Sequence, residues 1–193
     1  MRLAVLDKGH SVGAKLMFGM IRVFSGQPVV DAVKLVMYRP EFYGNPMKRI
    51  THEAMRGPSS WSVGDRELMA AYVSKVNGTE FCIKAHSAVA GRAYQDDGRV
   101  SATLADLDTA PISEPLRATL RMLGKLAREL TVDAGDMRAV LAAGASRAQI
   151  EDALAVALAF NVTDRLADAF NFAVPGPKAF AAGAKFLLAR GYR

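Results

Sequence analysis

Apolar residues recur along this chain at helical spacing, and no stretch alternates in the way a half-buried strand does. Residues 14–24 place Leu16, Met17, Met20, Ile21 and Phe24 on one side, with Lys15 and Arg22 off that stripe. A second apolar segment, 29–38, follows Gly26-Gln-Pro28 and is halted by Arg39-Pro40, since proline removes a backbone donor and restricts its predecessor. A short third helix is predicted near 46–55, after which Gly57-Pro58-Ser59-Ser60 breaks the chain.

The best-marked helix follows. Ser62 and Asp65 form a Ser-x-x-Asp capping pattern, helix formers continue to Val76, and Asn77-Gly78 is a strong stop with Gly78 suited to the left-handed position. Thr79 is placed to cap the next helix, which carries Cys82 and His86 to about residue 93, where Gln95-Asp-Asp-Gly98 reads as its end. Further helices are predicted over 113–129, from Val132-Asp133 to Gly144, and from a Ser146 cap toward residue 171. Pro175-Gly-Pro177 precedes a last one ending near residue 189. The expectation is a single all-α domain over 1–193, with an N-terminal helical extension at about 12–56 and the thiol-bearing motif at 62–93. Helices this apolar need partners, so a homo-oligomer assembled through apolar helix faces is expected.

Composition narrows the function. At 193 residues with 51% hydrophobic and 23% charged residues, the chain can bury a real core and does not read as disordered. The formal net charge is +6, but the basic residues are scattered, apart from Lys178, Lys185, Arg190 and Arg193 near the end. No basic run is interleaved with aromatics, so no nucleic-acid partner is expected. A single cysteine excludes a disulfide scaffold and zinc-finger spacing and suits a reducing compartment, and three scattered histidines offer no recognised metal set. The first ten residues hold Arg2, Asp7 and Lys8 without a secretory apolar core, and no segment approaches the roughly 20 apolar residues of a membrane span. A soluble cytoplasmic protein is expected, with no membrane partner. No glycine-rich nucleotide loop occurs, so no cofactor is expected.

The chemistry centres on Cys82. If Thr79 is the N-cap, Cys82 falls in the first helical turn, where free backbone amides favour a thiolate. His86, four residues on, shares its helix face and can stabilise the thiolate or take its proton. Glu67 lies on the preceding helix, and sequence alone permits, without requiring, its contact with His86. A packed, inert cysteine fits the same spacing.

The stretch from Arg56-Gly-Pro-Ser-Ser-Trp-Ser-Val-Gly-Asp-Arg-Glu67 to Asn77-Gly-Thr-Glu-Phe-Cys82-Ile-Lys-Ala-His86 resembles the alkylhydroperoxidase D-like, or carboxymuconolactone decarboxylase-like, superfamily, in its peroxidase-related branch. Tyr38-Arg-Pro-Glu-Phe-Tyr-Gly44 and Phe160-Asn-Val-Thr-Asp-Arg-Leu-Ala-Asp168 support the resemblance by their order. The family pattern has a Glu twelve residues before a Cys-x-x-Cys and a His four residues after its second Cys. Glu67, Cys82 and His86 match the Glu, second-Cys and His positions. Thr79 replaces the first Cys, and Phe81 stands where a proton-relaying His can occur.

The resemblance implies an all-helical fold, trimers or multiples of them, and peroxide reduction by attack of Cys82. An internal disulfide is impossible, so a sulfenic acid at Cys82 would be recycled by an external thiol reductant or reducing protein. The resemblance thus assigns catalysis to Cys82, His86 and Glu67, with Thr79 and Asn77 in support; Thr79 is expected to cap the helix and to be within reach of the thiolate. Two rivals stand beside this peroxidase-like, antioxidant reading. One is a non-catalytic helical oligomer module with a degenerate site. The other is a lyase of the carboxymuconolactone decarboxylase type.

Other features have plainer readings. Asn161, Asp164, Arg165 and Asp168 form a polar stripe, read as a buried ionic network with an Arg165–Asp168 pair, or else as the lining near the thiol. The Met17, Met20, Ile21, Phe24 stripe is read as core or subunit packing, Trp61 as a staple before the Ser62 cap, and His10 and His52 as surface residues.

Overall fold

The computed structural model describes residues 4–192, and every regular element among them is helical. The chain runs through α1 (Val5–Lys8), α2 (Val12–Ser25), α3 (Asp31–Tyr38), one π-helical turn (Pro40–Gly44) and α4 (Asn45–Arg56). It continues through α5 (Val63–Asn77), α6 (Glu80–Tyr94), α7 (Asp97–Ala105), α8 (Glu114–Glu129), α9 (Ala134–Ala142), α10 (Arg147–Ala169) and α11 (Pro177–Arg190). No described helix is long and apolar enough to cross a membrane.

The predicted caps set the central helices. Asp65 N–H donates to Ser62 Oγ at 3.0 Å, and Ser62 N–H donates back to Asp65 Oδ2 at 3.0 Å, closing the capping box of α5. Gly78 takes φ +79°, and Thr79 N–H returns to Ser74 O at 3.0 Å, so the chain reverses into α6 within two residues. Gly64 leaves room for the Tyr94 ring, whose Cε1 would lie 2.6 Å from any added Cβ. The phenol of Tyr94 then donates to Asp65 Oδ1 at 2.6 Å and locks the far end of α6 to the start of α5.

The main core joins α4, α5, α8 and α10 through Met55, Leu68, Met69, Val73, Leu120, Leu123, Val156 and Phe160, each at most 2% exposed. Trp61 belongs to it, and its indole donates to Gln149 O at 2.8 Å. A smaller apolar cluster surrounds Cys82 with Leu6, Leu35, Phe81, Ala167, Phe172 and Phe180.

Four readings need correction. Gln95 ends α6 as expected, but the segment after it is not a loop: Asp96 accepts from Arg99 N–H at 2.9 Å and caps α7, a helix the sequence reading left out. His10 is buried, with Nε2 2.9 Å from Leu6 O, because Phe18 of α2 and Tyr38 of α3 pack edge-on against its ring, with centroids 4.9 and 6.2 Å away. Of the two readings of the α2 stripe, packing in this chain's core does not hold, since Leu16, Met20 and Phe24 are exposed and Met17 and Ile21 only half-buried. Asp168 accepts a hydrogen bond from Thr79 Oγ1 at 2.8 Å instead of pairing with Arg165, which points to solvent.

Candidate functional site

Packing of α5 against α6 does what sequence alone left open: Glu67 Oε2 lies 2.7 Å from His86 Nδ1. Glu67 is fully buried and receives two more donors. Arg56, the last residue of α4, donates from Nη2 to Oε1 at 2.6 Å, and Tyr192, beyond α11, lies 2.9 Å from Oε1 and 3.1 Å from Oε2. Burial pushes the Glu67 carboxyl up, but the hydrogen bonds and charges of His86 and Arg56 overcome it and hold Glu67 below the ordinary carboxylate range. An ionised Glu67 makes Nδ1–H of His86 the donor and leaves the Nε2 lone pair to act as a base. The edge of Phe160 fixes the imidazole plane, with centroids 4.3 Å apart.

Cys82 sits one turn before His86 at the third position of α6, as the spacing predicts, and is 1% exposed. Its electrostatics oppose the expected thiolate. Burial, the charge and hydrogen bonding of Asp164, and the charge of Asp168 together push the thiol well above its usual range. Asp164 is fully buried on α10, where Oδ1 accepts from Ser74 Oγ at 2.9 Å and Oδ2 from Asn77 Nδ2 at 2.8 Å. Its own carboxyl is pushed up by burial, against the hydrogen bonds of Asn77, Cys82 and Ser74. At rest, this pocket favours the protonated thiol.

Thr79 occupies the N-cap position without the cap bond, because its hydroxyl is turned to Asp168. Asn77 lies near the thiol only indirectly, bridging Asp164 and the side-chain oxygen of Asn161, 3.1 Å away. Glu67 and His86 are therefore joined by α5 and α6, with Cys82 one turn earlier on α6, while Thr79 and Asn77 anchor the acidic face that α10 turns toward Cys82. Sequence reading gave no role to Arg56 or Tyr192. Arg56 was within the motif, but nothing marked its fork as the partner of Glu67. Tyr192 carried no periodic signal, and only the preceding Gly191 hinted at a turn.

Among the described residues, no cluster of three or more His, Cys, Asp or Glu side chains is arranged to hold a metal ion. A groove of about 830 Å³ runs between α6 and α11 past Ser87, Gly91, Phe180, Ala184 and Leu188. Ser87 and Gly91 lie on the side of α6 away from Cys82 and His86, so that groove does not open on the thiol.

No family model and no curated protein matches this chain. Solved structures do. A peroxidase-related protein from Silicibacter sp. TM1040 superposes with a TM-score of 0.76 at 21% identity, over 91% of each chain. An alkylhydroperoxidase AhpD-core, peroxidase-related protein from Ralstonia eutropha JMP134 gives a TM-score of 0.74 at 18% identity, again over 91% of each. The debrominase Bmp8 in its apo form gives 0.65 at 14% identity, over 90% of this chain and 92% of its own. This protein has the all-helical fold of the alkylhydroperoxidase D-like, peroxidase-related proteins.

Proposed function

We propose that the chain is a thiol-dependent peroxidase that works with one cysteine. The observation that carries this reading is the buried charge network behind His86. A fully desolvated carboxylate is costly, and Glu67 is placed where it orients an imidazole one turn from the chain's sole thiol. An inert packed cysteine would have no need of it.

In the proposed cycle the Cys82 proton passes to His86 Nε2 as sulfur attacks the outer peroxide oxygen. The O–O bond breaks, the departing alkoxide takes the proton back from His86, and Cys82 is left as a sulfenic acid. An external thiol condenses with it and releases water, and a second thiol frees Cys82 as the external disulfide forms. The raised thiol means that deprotonation accompanies attack instead of preceding it, with His86 holding the proton in between. A debrominase shares this fold, so the second electrophile to test is a carbon-bound bromine. Sulfur would take bromine from carbon, the carbon would keep the electron pair and take the proton from His86, and two external thiols would release bromide and restore Cys82 as their disulfide forms.

One observation favours a non-catalytic module. Cys82 is 1% exposed and faces Asp164, which disfavours the thiolate. A single assay separates the readings. Parent protein and Cys82→Ser are given hydrogen peroxide, an organic hydroperoxide or an aryl bromide with excess small thiol, and substrate loss is followed alongside dimedone trapping. Turnover and a trapped sulfenate that vanish in Cys82→Ser support the peroxidase, whereas equal rates in both proteins eliminate it.

A further inference from the structure

The geometry points to Tyr192 as a positioning residue that sets the protonation behaviour of His86 through Glu67; this deepens the thiol-peroxidase reading and rests on it. The phenol reaches both carboxylate oxygens of Glu67, at 2.9 and 3.1 Å, and lies 3.4 Å from His86 Nδ1. Its ring runs nearly parallel to the imidazole, at 22° with centroids 6.3 Å apart, and the Arg56 guanidinium sits 5.1 Å above it. Tyr192 N–H donates to His52 Nδ1 at 3.3 Å, and Arg56 Nη2 also donates to Leu187 O at 3.3 Å, tying the end of α11 to α4.

The backbone is built for this placement. Gly191 adopts φ +66° and ψ −151°, a conformation almost confined to glycine. A Cβ there would lie 2.8 Å from the His52 ring and 3.2 Å from Arg56 Cγ. Only this turn carries the chain from the end of α11 back to Glu67.

The physical role follows from the number of donors. Arg56, Tyr192 and His86 divide the charge of one carboxylate among them. The phenol draws part of that charge away from the imidazole. Removing its hydroxyl concentrates the charge on Nδ1–H and stabilises the imidazolium. The ionisable groups that act on His86 are Glu67 from α5, Tyr192 beyond α11 and Asp164 from α10, with Arg56 of α4 behind Glu67 and Cys82 one turn earlier on its own helix. Of these, Tyr192 acts on Glu67 through a neutral hydroxyl that phenylalanine deletes while keeping the ring.

The test is a ¹⁵N-resolved pH titration of the three histidines in the full chain, assigned with His86→Gln. It compares the parent, Tyr192→Phe, Gly191→Ala, Glu67→Gln and Glu67→Gln/Tyr192→Phe. The expected result is a higher His86 midpoint in Tyr192→Phe and Gly191→Ala, with His10 unmoved and no further shift when Tyr192→Phe is added to Glu67→Gln. An unchanged His86 midpoint in both Tyr192→Phe and Gly191→Ala, with circular dichroism showing both folded, overturns the proposal. The pH profile of Cys82 alkylation is read on the same samples and should move with His86. Because neither readout uses peroxide, a parent protein inert to peroxides would sink the peroxidase reading and leave this result standing on its own.

Discussion

Replacing Glu67 by glutamine changes one heavy atom at the centre of a buried hydrogen-bond network. Three donors converge on the carboxylate: Arg56 at 2.6 Å, His86 Nδ1 at 2.7 Å and Tyr192 at 2.9 Å. A glutamine amide has one acceptor oxygen and one NH₂, so whichever way it turns, its NH₂ meets a donor. With the oxygen toward Arg56 and Tyr192, His86 must give up its Nδ1 proton and carry Nε2–H, which removes the lone pair proposed to receive the thiol proton. Breaking a buried ion pair on one side costs about 3–5 kcal/mol. The Arg56 side chain keeps 11% exposure, which places this change near the low end, about 3 kcal/mol. For a chain of this length that corresponds to a fall in Tm of about 6–12 °C.

The effect has a required pH dependence. Glu67 is held below the ordinary carboxylate range, so its contribution is fully present above the unfolded value of about 4.3 and is lost as pH falls through the folded value. Thermal melts of parent and Glu67→Gln should differ most at neutral pH and converge in acid. A neutral-pH difference below about 1 kcal/mol would refute the reasoning, as would a gap that survives acidification.

Two further outcomes are expected. Asp164→Asn removes an anion facing Cys82 and should lower its thiol pKa, raising iodoacetamide alkylation at neutral pH by about tenfold or more; an unchanged rate would show that burial alone protects the thiol. Ser146→Ala breaks the capping box in which Gln149 N–H donates to Ser146 Oγ at 3.2 Å, and should cost about 1 kcal/mol in denaturant titration while leaving Cys82 alkylation of the folded protein unchanged.

Much of this architecture could be read from local signals. The Ser62 box, the Ser146 cap, the Asn77-Gly78 stop and the Pro177 start each rest on a few neighbouring residues, and each lies where expected. Local reading failed where one residue serves two elements, as Asp96 does by following α6 and capping α7. The fate of an amphipathic stripe escaped it too, because periodicity gives the direction of a face and not what covers it. For the site, spacing grouped Cys82 with His86 and marked Glu67. The sign of the electrostatics at Cys82 was hidden, because Asp164 arrives from a helix more than 80 positions away and only packing turns it toward the thiol. Tyr192 was hidden for the same reason.

The network around Glu67 also bears on the order in which the molecule can assemble. The α5–α6 hairpin is local, so Glu67 can meet His86 early, whereas Tyr192 lies 125 positions along the chain from Glu67. Closing a loop of that length costs about 4 kcal/mol of chain entropy before any contact repays it. The last donor therefore comes into place only when α11 has docked on α6. Until then a folding chain carries its thiol without the complete Glu67 network, so the chemistry proposed for Cys82 would require the whole chain to be folded.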